Sequence, residues 1–413
     1  LAQASGIPQN APERLAAGLI YALKQAEHEG HLCMHKETFV RRAVNLLRAP
    51  QVTWKAVAQR AFEMIKEGRL SLFYDYVYRP IMAKAEEDVA TWICDMLHRD
   101  SLPYMGDLDD EIDGQQTEMG FTFAEEQRHA IRTALIQRAI LNIYKKSFPD
   151  SNVVCCAPTG RAARRMEQST GYPASTIHKV LNLTAGEVHE LKDIDLLEAD
   201  LVLVDEVSMM DMLTTWYLFN ALPPSCRLIL VGDADQLPSV GPGAVLNELL
   251  ACGQLPAVIL DKVFRQSEGS LVAENAQRIR HGVTDLEFGD DFQFWPSAEE
   301  TQSAQYLMWF YKREVDRYGV DNVALLTPFR KKSKTGVYSL NAALHDTINP
   351  ASQEKDEIET GQRILRVGDK VMQMKNRDFA SNGDIGYICP SKRDSDGILV
   401  EVDFGDDRVV AYE

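Results

Sequence analysis

Two short aliphatic runs, each stopped abruptly by acids, constrain this chain more than any other feature. One is Leu201-Val202-Leu203-Val204, followed by Asp205-Glu206; the other is Leu228-Ile229-Leu230-Val231, followed by Gly232-Asp233-Ala234-Asp235-Gln236-Leu237-Pro238. Such a run, bounded by polar residues, reads as a strand buried on both faces, the habit of parallel sheets covered by helices. Ligands of open α/β sheets sit outside the carboxyl ends of the strands, which is where both sets of acids fall. Asp205 and Glu206 therefore suit a metal–nucleotide site: one carboxylate for Mg2+, the next to polarise an attacking water. The competing reading is an acid pair capping the next helix, a task Ser208 and Asp211 could share. A site of this kind also needs a glycine-rich phosphate loop upstream, and the chain contains none.

At 413 residues the chain has room for several domains with sizeable cores. No apolar stretch approaches the roughly 20 residues of a membrane span. No basic-then-apolar leader is seen, so secretion is not expected, and a chain beginning at Leu1 is not expected to carry its native start. The seven cysteines (Cys33, Cys94, Cys155, Cys156, Cys226, Cys252, Cys389) form no Cys-x-x-Cys pair and several lie in apolar runs. They read as buried free thiols in a reducing cytoplasm, and a cytoplasmic location is expected. The net charge of −17 argues against indiscriminate coating of nucleic acid but leaves room for a local basic groove.

Residues 1 to about 99 carry a helical pattern, as in Ala16-Leu19-Ile20-Leu23 and Phe39-Ala43-Leu46-Leu47, with a small β-hairpin expected between Leu70 and Tyr78. The acidic, glycine-containing stretch from Asp100 to Glu118 reads as a linker or an exposed loop. From Phe121 to Gly253 helix and strand alternate, which implies βαβ units: a helix at Ala124–Tyr144, a strand at Val153–Cys156, a helix at Arg161–Ser169, and strands at Leu201–Val204 and Leu228–Val231. A second α/β pattern follows, with strands expected at Val258–Leu260 and Val323–Leu326. Short strands at Lys370–Met374, Ile385–Ile388 and Ile398–Phe404, separated by turns such as Ser381-Asn382-Gly383, read as the start of a small β-barrel.

Further residues bear on chemistry. Gln236 ends the second buried strand and could contact a γ-phosphate or orient water. Arg265, in Val263-Phe264-Arg265-Gln266, follows the expected strand at 258–260; aimed across a cleft it would be an arginine finger, and otherwise a surface ion pair. Ala157-Pro158-Thr159-Gly160-Arg161 follows the strand at 153–156. Backbone N–H groups at a helix N-terminus beginning with Thr159 and Gly160 suit a phosphate, and Arg161, Arg164 and Arg165 add the local positive charge that a nucleic-acid track needs. The alternative is a capped helix with a solvated basic face. His178 could stack on or bond a nucleotide, or be structural. Thr327-Pro328-Phe329-Arg330-Lys331-Lys332 repeats the theme of a strand end, Thr-Pro and basic residues, as if one strand of nucleic acid crossed both α/β regions.

Together, Ala157-Pro158-Thr159-Gly160-Arg161-Ala162-Ala163, Val204-Asp205-Glu206-Val207-Ser208-Met209-Met210, Val231-Gly232-Asp233-Ala234-Asp235-Gln236-Leu237-Pro238 and Val263-Phe264-Arg265-Gln266 resemble successive motifs of RecD-type superfamily 1 DNA helicases, in particular the stand-alone RecD-like subgroup. The resemblance covers the whole chain. It implies an α/β fold with two RecA-like parallel-sheet motor domains, a helical N-terminal domain and a partial SH3-like β-barrel insertion. The corresponding boundaries are 1–118, 119–255, 256–380 and 381–413. It implies an ATP- and Mg2+-dependent 5′→3′ helicase that moves on single-stranded DNA and meets single-strand/double-strand junctions. Asp205 would hold Mg2+, Glu206 activate water, Gln236 and Arg265 sense the γ-phosphate, and Gln127 read adenine. Thr159, Gly160, Arg161, His178, Thr327, Pro328 and Asn382 would line the DNA track, and Asn182–Leu197 would form a strand-separating hairpin.

The departures are as informative. The family's phosphate loop should fall between Gln127 and Val153, where the chain instead runs Ala134-Leu135-Ile136-Gln137. A segment is inferred to be missing between Leu135 and Ile136. Two other readings stay open: a degenerate, non-catalytic DNA-binding relative, and a motor subunit of a helicase–nuclease complex.

Overall fold

The computed structural model describes residues 8–98, 108–120, 122, 137–184, 188–259, 270–331, 333–353, 355–360, 363–374, 380, 383–390, 392–394, 397–405 and 408–412. The chain divides into two compact units, Leu1–Asp261 and Lys262–Glu413.

The first unit opens with three helices, α1 (Pro12–His28), α2 (Lys36–Leu47) and α3 (Trp54–Lys66). In α1 the buried residues Leu15, Leu19, Ala22, Leu23 and Ala26 recur three and four apart, and this stripe meets Phe39, Val57 and Met64 in one core. The expected hairpin is present as β2 (Ser71–Phe73) and β3 (Tyr76–Tyr78), and β1 (Cys33–His35) adds a third antiparallel strand on β3. Helix α4 (Pro80–Leu97) then leaves the N-terminal core. At the start of α4, Arg79 donates two hydrogen bonds to Glu27, of 2.5 and 2.6 Å, which tie the entry of α4 to the end of α1.

The acidic stretch is not a linker throughout. Residues 108–119 form a helix, α5 (Leu108–Met119). Asp109, Asp110 and Glu111 lie in its first turn, where the helix dipole favours negative charge. Ile112 is fully buried, Gln115 accepts from Asn142, and Lys146 pairs with Glu111, so α5 packs on α6 (Gln137–Ser147).

The parallel sheet runs in the order β5-β4-β6-β7, with β4 Val153–Ala157, β5 Ala174–Thr176, β6 Leu201–Val204 and β7 Arg227–Leu230. The strict alternation of a strand sends Val202, Val204 and Cys156 to one face and Leu201, Leu203 and Cys155 to the other, and both sets are buried. Leu141 of α6 and Met166 of α7 (Gly160–Thr170) cover the second face. The first face is covered by Ile177 of α8 (Ile177–Val180), by Trp216, Leu218 and Phe219 of α9 (Met212–Asn220), and by Val245 of α10 (Val245–Ala251). Ala85 and Val89 of α4 belong to that same core, and Trp216 Nε1 donates to Asp88 Oδ2 at 2.9 Å. The last N-terminal helix is thus part of the layer that covers the sheet.

The segment from Asn182 to Leu197 does not form a hairpin among its described residues. It contains a 3-10 turn at Leu191–Asp193 between irregular stretches. Leu183, Leu191, Ile194 and Leu197 pack against the core that α9 covers, so the apolar spacing anchors a loop rather than a strand pair.

The second unit contains α11 (Leu271–Arg280), α12 (Glu300–Tyr318) and α13 (Val337–Ile348). The strands expected at 258–260 and 323–326 are not seen among the described residues: Val258, Ile259 and residues 323–326 are irregular, and Leu260 lies outside those residues. An apolar run becomes a strand only when a neighbour takes up its N–H and C=O groups, and no such neighbour occurs among the described residues. The strands observed are antiparallel. A hairpin of β8 (Glu357–Thr360) and β9 (Arg363–Arg366) precedes a sheet ordered β10-β11-β13-β12, with β14 (Val409–Tyr412) also on β13. Here β10 is Lys370–Met372, β11 Ile385–Ile388, β12 Lys392–Asp394 and β13 Gly397–Asp403. Val402, Phe404 and Val410 form its core with Ala380. Gly386 is required, because a Cβ there would lie 2.7 Å from Asp403 O. The sheet therefore begins at Lys370, ahead of the expected boundary at 381.

Candidate nucleotide and nucleic-acid site at the sheet edge

Because the four strands of the first unit are parallel and in register (Ala157 beside Thr176, Cys156 beside Val204, Val204 beside Leu230), their C-terminal ends lie along one edge. That edge gathers Thr159 after β4, His178 after β5, Asp205-Glu206 after β6 and Asp233–Gln236 after β7.

At the end of β6, Asp205 N–H still donates to Cys156 O at 3.0 Å, so the acid leaves the sheet from its last rung. Asp205 Oδ1 accepts from Glu206 N–H at 2.9 Å. Glu206 adopts φ 54°, ψ 41°, a left-handed conformation that is costly for a residue with a Cβ. The strain is held on both sides: Val207 N–H donates to Val231 O, and Met209 N–H donates back to Glu206 O, both at 3.0 Å. Such over-determined strain turns the chain sharply and presents adjacent carboxylates at the edge. Asp211, the alternative cap, does cap α9, accepting from Thr214 N–H at 2.8 Å. The cap of α9 is therefore Asp211 and not the Asp205-Glu206 pair.

Beyond β7 the chain turns at Asp233, whose Oδ1 accepts from Asp235 N–H at 3.0 Å and whose Oδ2 is 3.4 Å from Gln236 Nε2. Gly232 lets this turn close on the Glu206 turn, since a Cβ would meet Val207 N and Ser208 N at 3.1 Å. Gln236 and Ser208 both line a small pocket of about 80 Å³.

Thr159 is the N-cap of α7: its side chain accepts from Ala162 N–H at 3.2 Å. Gly160 opens that helix, and Arg161 is exposed on its first turn. Thr176 caps the short α8 in the same way, which sets His178 just past the end of β5. Burial holds the His178 imidazole below its ordinary range, opposed by the charge of Asp211. A neutral imidazole offers one donor and one acceptor rather than a fixed charge.

In the second unit, Thr327 Oγ1 donates to Thr335 O at 2.7 Å and accepts from Phe329 N–H, and Pro328 and Phe329 are exposed. The hydroxyl thus shapes its own turn. Gln127, Arg265, Asn382 and the Leu135–Ile136 junction lie outside the described residues. Sequence reasoning missed β5 and Ser208. Ala174–Thr176 is too short and polar for a strand signal; only the Thr-x-x-Lys cap spacing at 176–179 marks its end.

A parallel sheet covered on both faces, with paired acids and a capped helix N-terminus at one edge, is an open α/β sheet whose ligand-binding edge is the one that carries these residues. The family described as an AAA domain matches residues 132–242, and the ATP-dependent RecD-like DNA helicase SH3 domain matches residues 340–404. The ATP-dependent RecD2 DNA helicase of Deinococcus radiodurans is 31% identical over 442 residues, a match spanning 97% of this chain and 59% of that protein. The RecBCD enzyme subunit RecD of Haemophilus influenzae is 34% identical over 140 residues, 29% of this chain and 22% of that one. A solved structure of Pif1 helicases at forked double-stranded DNA covers 71% of this chain and 76% of its own at 17% identity, with a TM-score of 0.39. These matches make the chain similar to the RecD-like helicases along nearly its whole length. It spans about three fifths of the RecD2 relative's length.

Proposed function

We propose that this chain is the greater part of an ATP-driven DNA helicase that travels 5′→3′ along single-stranded DNA and opens the duplex at single-strand/double-strand junctions. The observation that carries this reading is the convergence of Thr159, His178, Asp205-Glu206 and Gln236 on one edge of a single parallel sheet. In this reading Glu206 orients and activates the attacking water, Gln236 and Arg265 contact the γ-phosphate, and Gln127 reads the adenine. Thr159, Gly160, Arg161, His178, Thr327, Pro328 and Asn382 form the DNA track.

The donor set fits Mg2+. No group of three or more His, Cys, Asp or Glu side chains that could hold a metal occurs among the described residues. Of the carboxylates at the sheet edge, Asp205 is the one assigned to the ion in this reading, and Mg2+ is usually held by one or two carboxylates together with substrate phosphates and water. When bound, the ion would neutralise charge on the phosphates. The chain's own residues supply the water-orienting acid and the amide that tracks the phosphate.

The match to the RecD2 relative runs over 442 positions while using 97% of 413 residues, about 400, so about 40 positions belong to the relative alone. This count supports internal sequence that the relative has and this chain lacks; the motif order is what assigns it, with the phosphate loop, to the junction of Leu135 and Ile136. A Gly-Lys-Thr in the gene between these residues would bear this out, and a gene that reads Leu135-Ile136 without interruption would leave the degenerate, non-catalytic reading. Between the stand-alone and nuclease-complex readings, the extent of the matches favours the first. The RecD2 match runs along 97% of the chain and the Haemophilus RecD match along 29%.

Glu206→Gln in the full-length protein tests the assignment. ATP turnover is expected to disappear while nucleotide binding persists, and full turnover in that variant would overturn it.

A further inference from the structure

Ser208 has no role in the site so far described, yet its side chain is the most anomalous polar group near it. It lies in the 3-10 turn Val207–Met209, two residues after Glu206. Its Oγ is shut off from solvent and has no hydrogen-bond partner. A buried hydroxyl left unpaired is unfavourable and rare in folded proteins, so one placed beside a functional acid points to a partner acquired in another state. The available partner is close at hand. Ser208 lines the same pocket of about 80 Å³ as Gln236, together with Ala234, Pro238 and Asn247. Gln236 is exposed and weakly held, its Nε2 resting 3.4 Å from Asp233 Oδ2.

We propose that Ser208 is a positioning residue of the nucleotide site: its hydroxyl donates to Gln236 Oε1 and so fixes which end of that amide faces the γ-phosphate. This rests on the reading of the sheet edge as a nucleotide site. Phosphate oxygens only accept hydrogen bonds, so Gln236 is useful with its NH2 outward and its carbonyl inward. An amide is nearly symmetric in shape, and a donor behind it selects the productive orientation. The Ser208 hydroxyl is such a donor. Gly232 is what lets the two turns approach, since any side chain there would meet the backbone of Val207 and Ser208.

The test uses the full-length protein and four variants: Ser208→Ala, Gln236→Ala, the double variant and Glu206→Gln. Ser208→Ala is expected to lower kcat for ATP about tenfold, with KM changed by less than about twofold, since the bond forms around the reacting phosphate. Its thermal midpoint is expected to be unchanged or raised, because no bond is lost in the resting state. In the Gln236→Ala background Ser208→Ala is expected to have no further effect. A wild-type kcat in Ser208→Ala, or an undiminished tenfold loss in the Gln236→Ala background, would overturn the proposal. Full turnover in Glu206→Gln would instead overturn the site reading beneath it, so the two failures are distinguishable.

Discussion

Glu206 offers a perturbation whose magnitude can be worked from the backbone. At φ 54°, ψ 41° its Cβ crowds the neighbouring carbonyl, a strain of about 1–2 kcal/mol for a non-glycine residue. Glu206→Ala keeps that strain; Glu206→Gly removes it. Glycine also frees the unfolded chain, which offsets about 0.5–1 kcal/mol. The glycine variant is therefore expected to be more stable than the alanine variant by about 0.5–1 kcal/mol, although at an ordinary strand or helix position the order is reversed. For a body the size of the first unit this corresponds to about 1–4 °C in thermal midpoint. Neither variant is expected to turn over ATP. Arg48 is the control: it ends α2 at φ 42°, ψ 48°, a place where glycine is the favoured residue. Arg48→Gly is expected to raise the midpoint similarly while leaving turnover intact. Urea titration and thermal melts of the three variants decide the matter. If Glu206→Gly is no more stable than Glu206→Ala while Arg48→Gly gains, the backbone at Glu206 is not strained and the account of the turn fails.

Three further expectations follow from single contacts. Thr159→Ala removes the cap on Ala162 N–H and is expected to cost about 1 kcal/mol in urea titration, with Thr159→Ser close to wild type; equal losses in both would count against the cap. If Arg161 meets a DNA phosphate, Arg161→Ala is expected to make the slope of log affinity against log salt shallower by about one, uniformly across sequences; an unchanged slope would remove it from the track. Burial pushes the thiols of Cys155 and Cys226 up to about 11 and that of Cys156 up to about 12. The unfolded chain loses these protons from about pH 8.5 while the folded state keeps them. Stability is therefore expected to fall as pH rises through that window, and a flat stability–pH curve there would contradict the burial.

The legible parts of this fold are those where one physical signal has one solution. Leu201–Val204 is a strand in the structure as in the sequence, because an aliphatic run so short and so sharply bounded has no other way to bury both faces. The acids that follow were legible for the same reason. Ala174–Thr176 was not, since it is a three-residue strand with a single alanine, held by its neighbour β4 rather than by its own composition. The helix at 108–119 was hidden by its charge: three acids in the first turn suggest a solvated loop, until Ile112 is seen to be buried and Gln115 to meet α6. The runs at 258–260 and 323–326 show the converse error. Their patterns are strand-like, but pairing is a property of two segments and cannot be read from one. Ser208 was invisible for a different reason. Its interest lies in a missing hydrogen bond, and sequence records residues, not unmet partners.

The helical N-terminal part reads from sequence as a separate domain bounded at residue 118, and its packing ties it to the sheet that follows. Ala85 and Val89 of α4 complete the core under the sheet, and Asp88 accepts from Trp216 in the middle of α9. Helix α9 begins at the cap Asp211, whose carboxylate leaves no room for a side chain at Gly241: a Cβ there would lie 1.9 Å from Asp211 Oδ2. Gly241 sits in the loop that follows Gln236. The same loop is fixed from the other direction, where Gly243 N–H donates at 3.0 Å to the carbonyl of Gly30, in the turn between α1 and β1. The segment that carries Gln236 is therefore braced by the helix that α4 buttresses and by the N-terminal core itself. If Gln236 meets a γ-phosphate as proposed, any movement of its loop would work against both braces. The N-terminal helices thus hold the loop that follows Gln236 as well as covering apolar surface, and a cut at residue 118 would remove both contributions together.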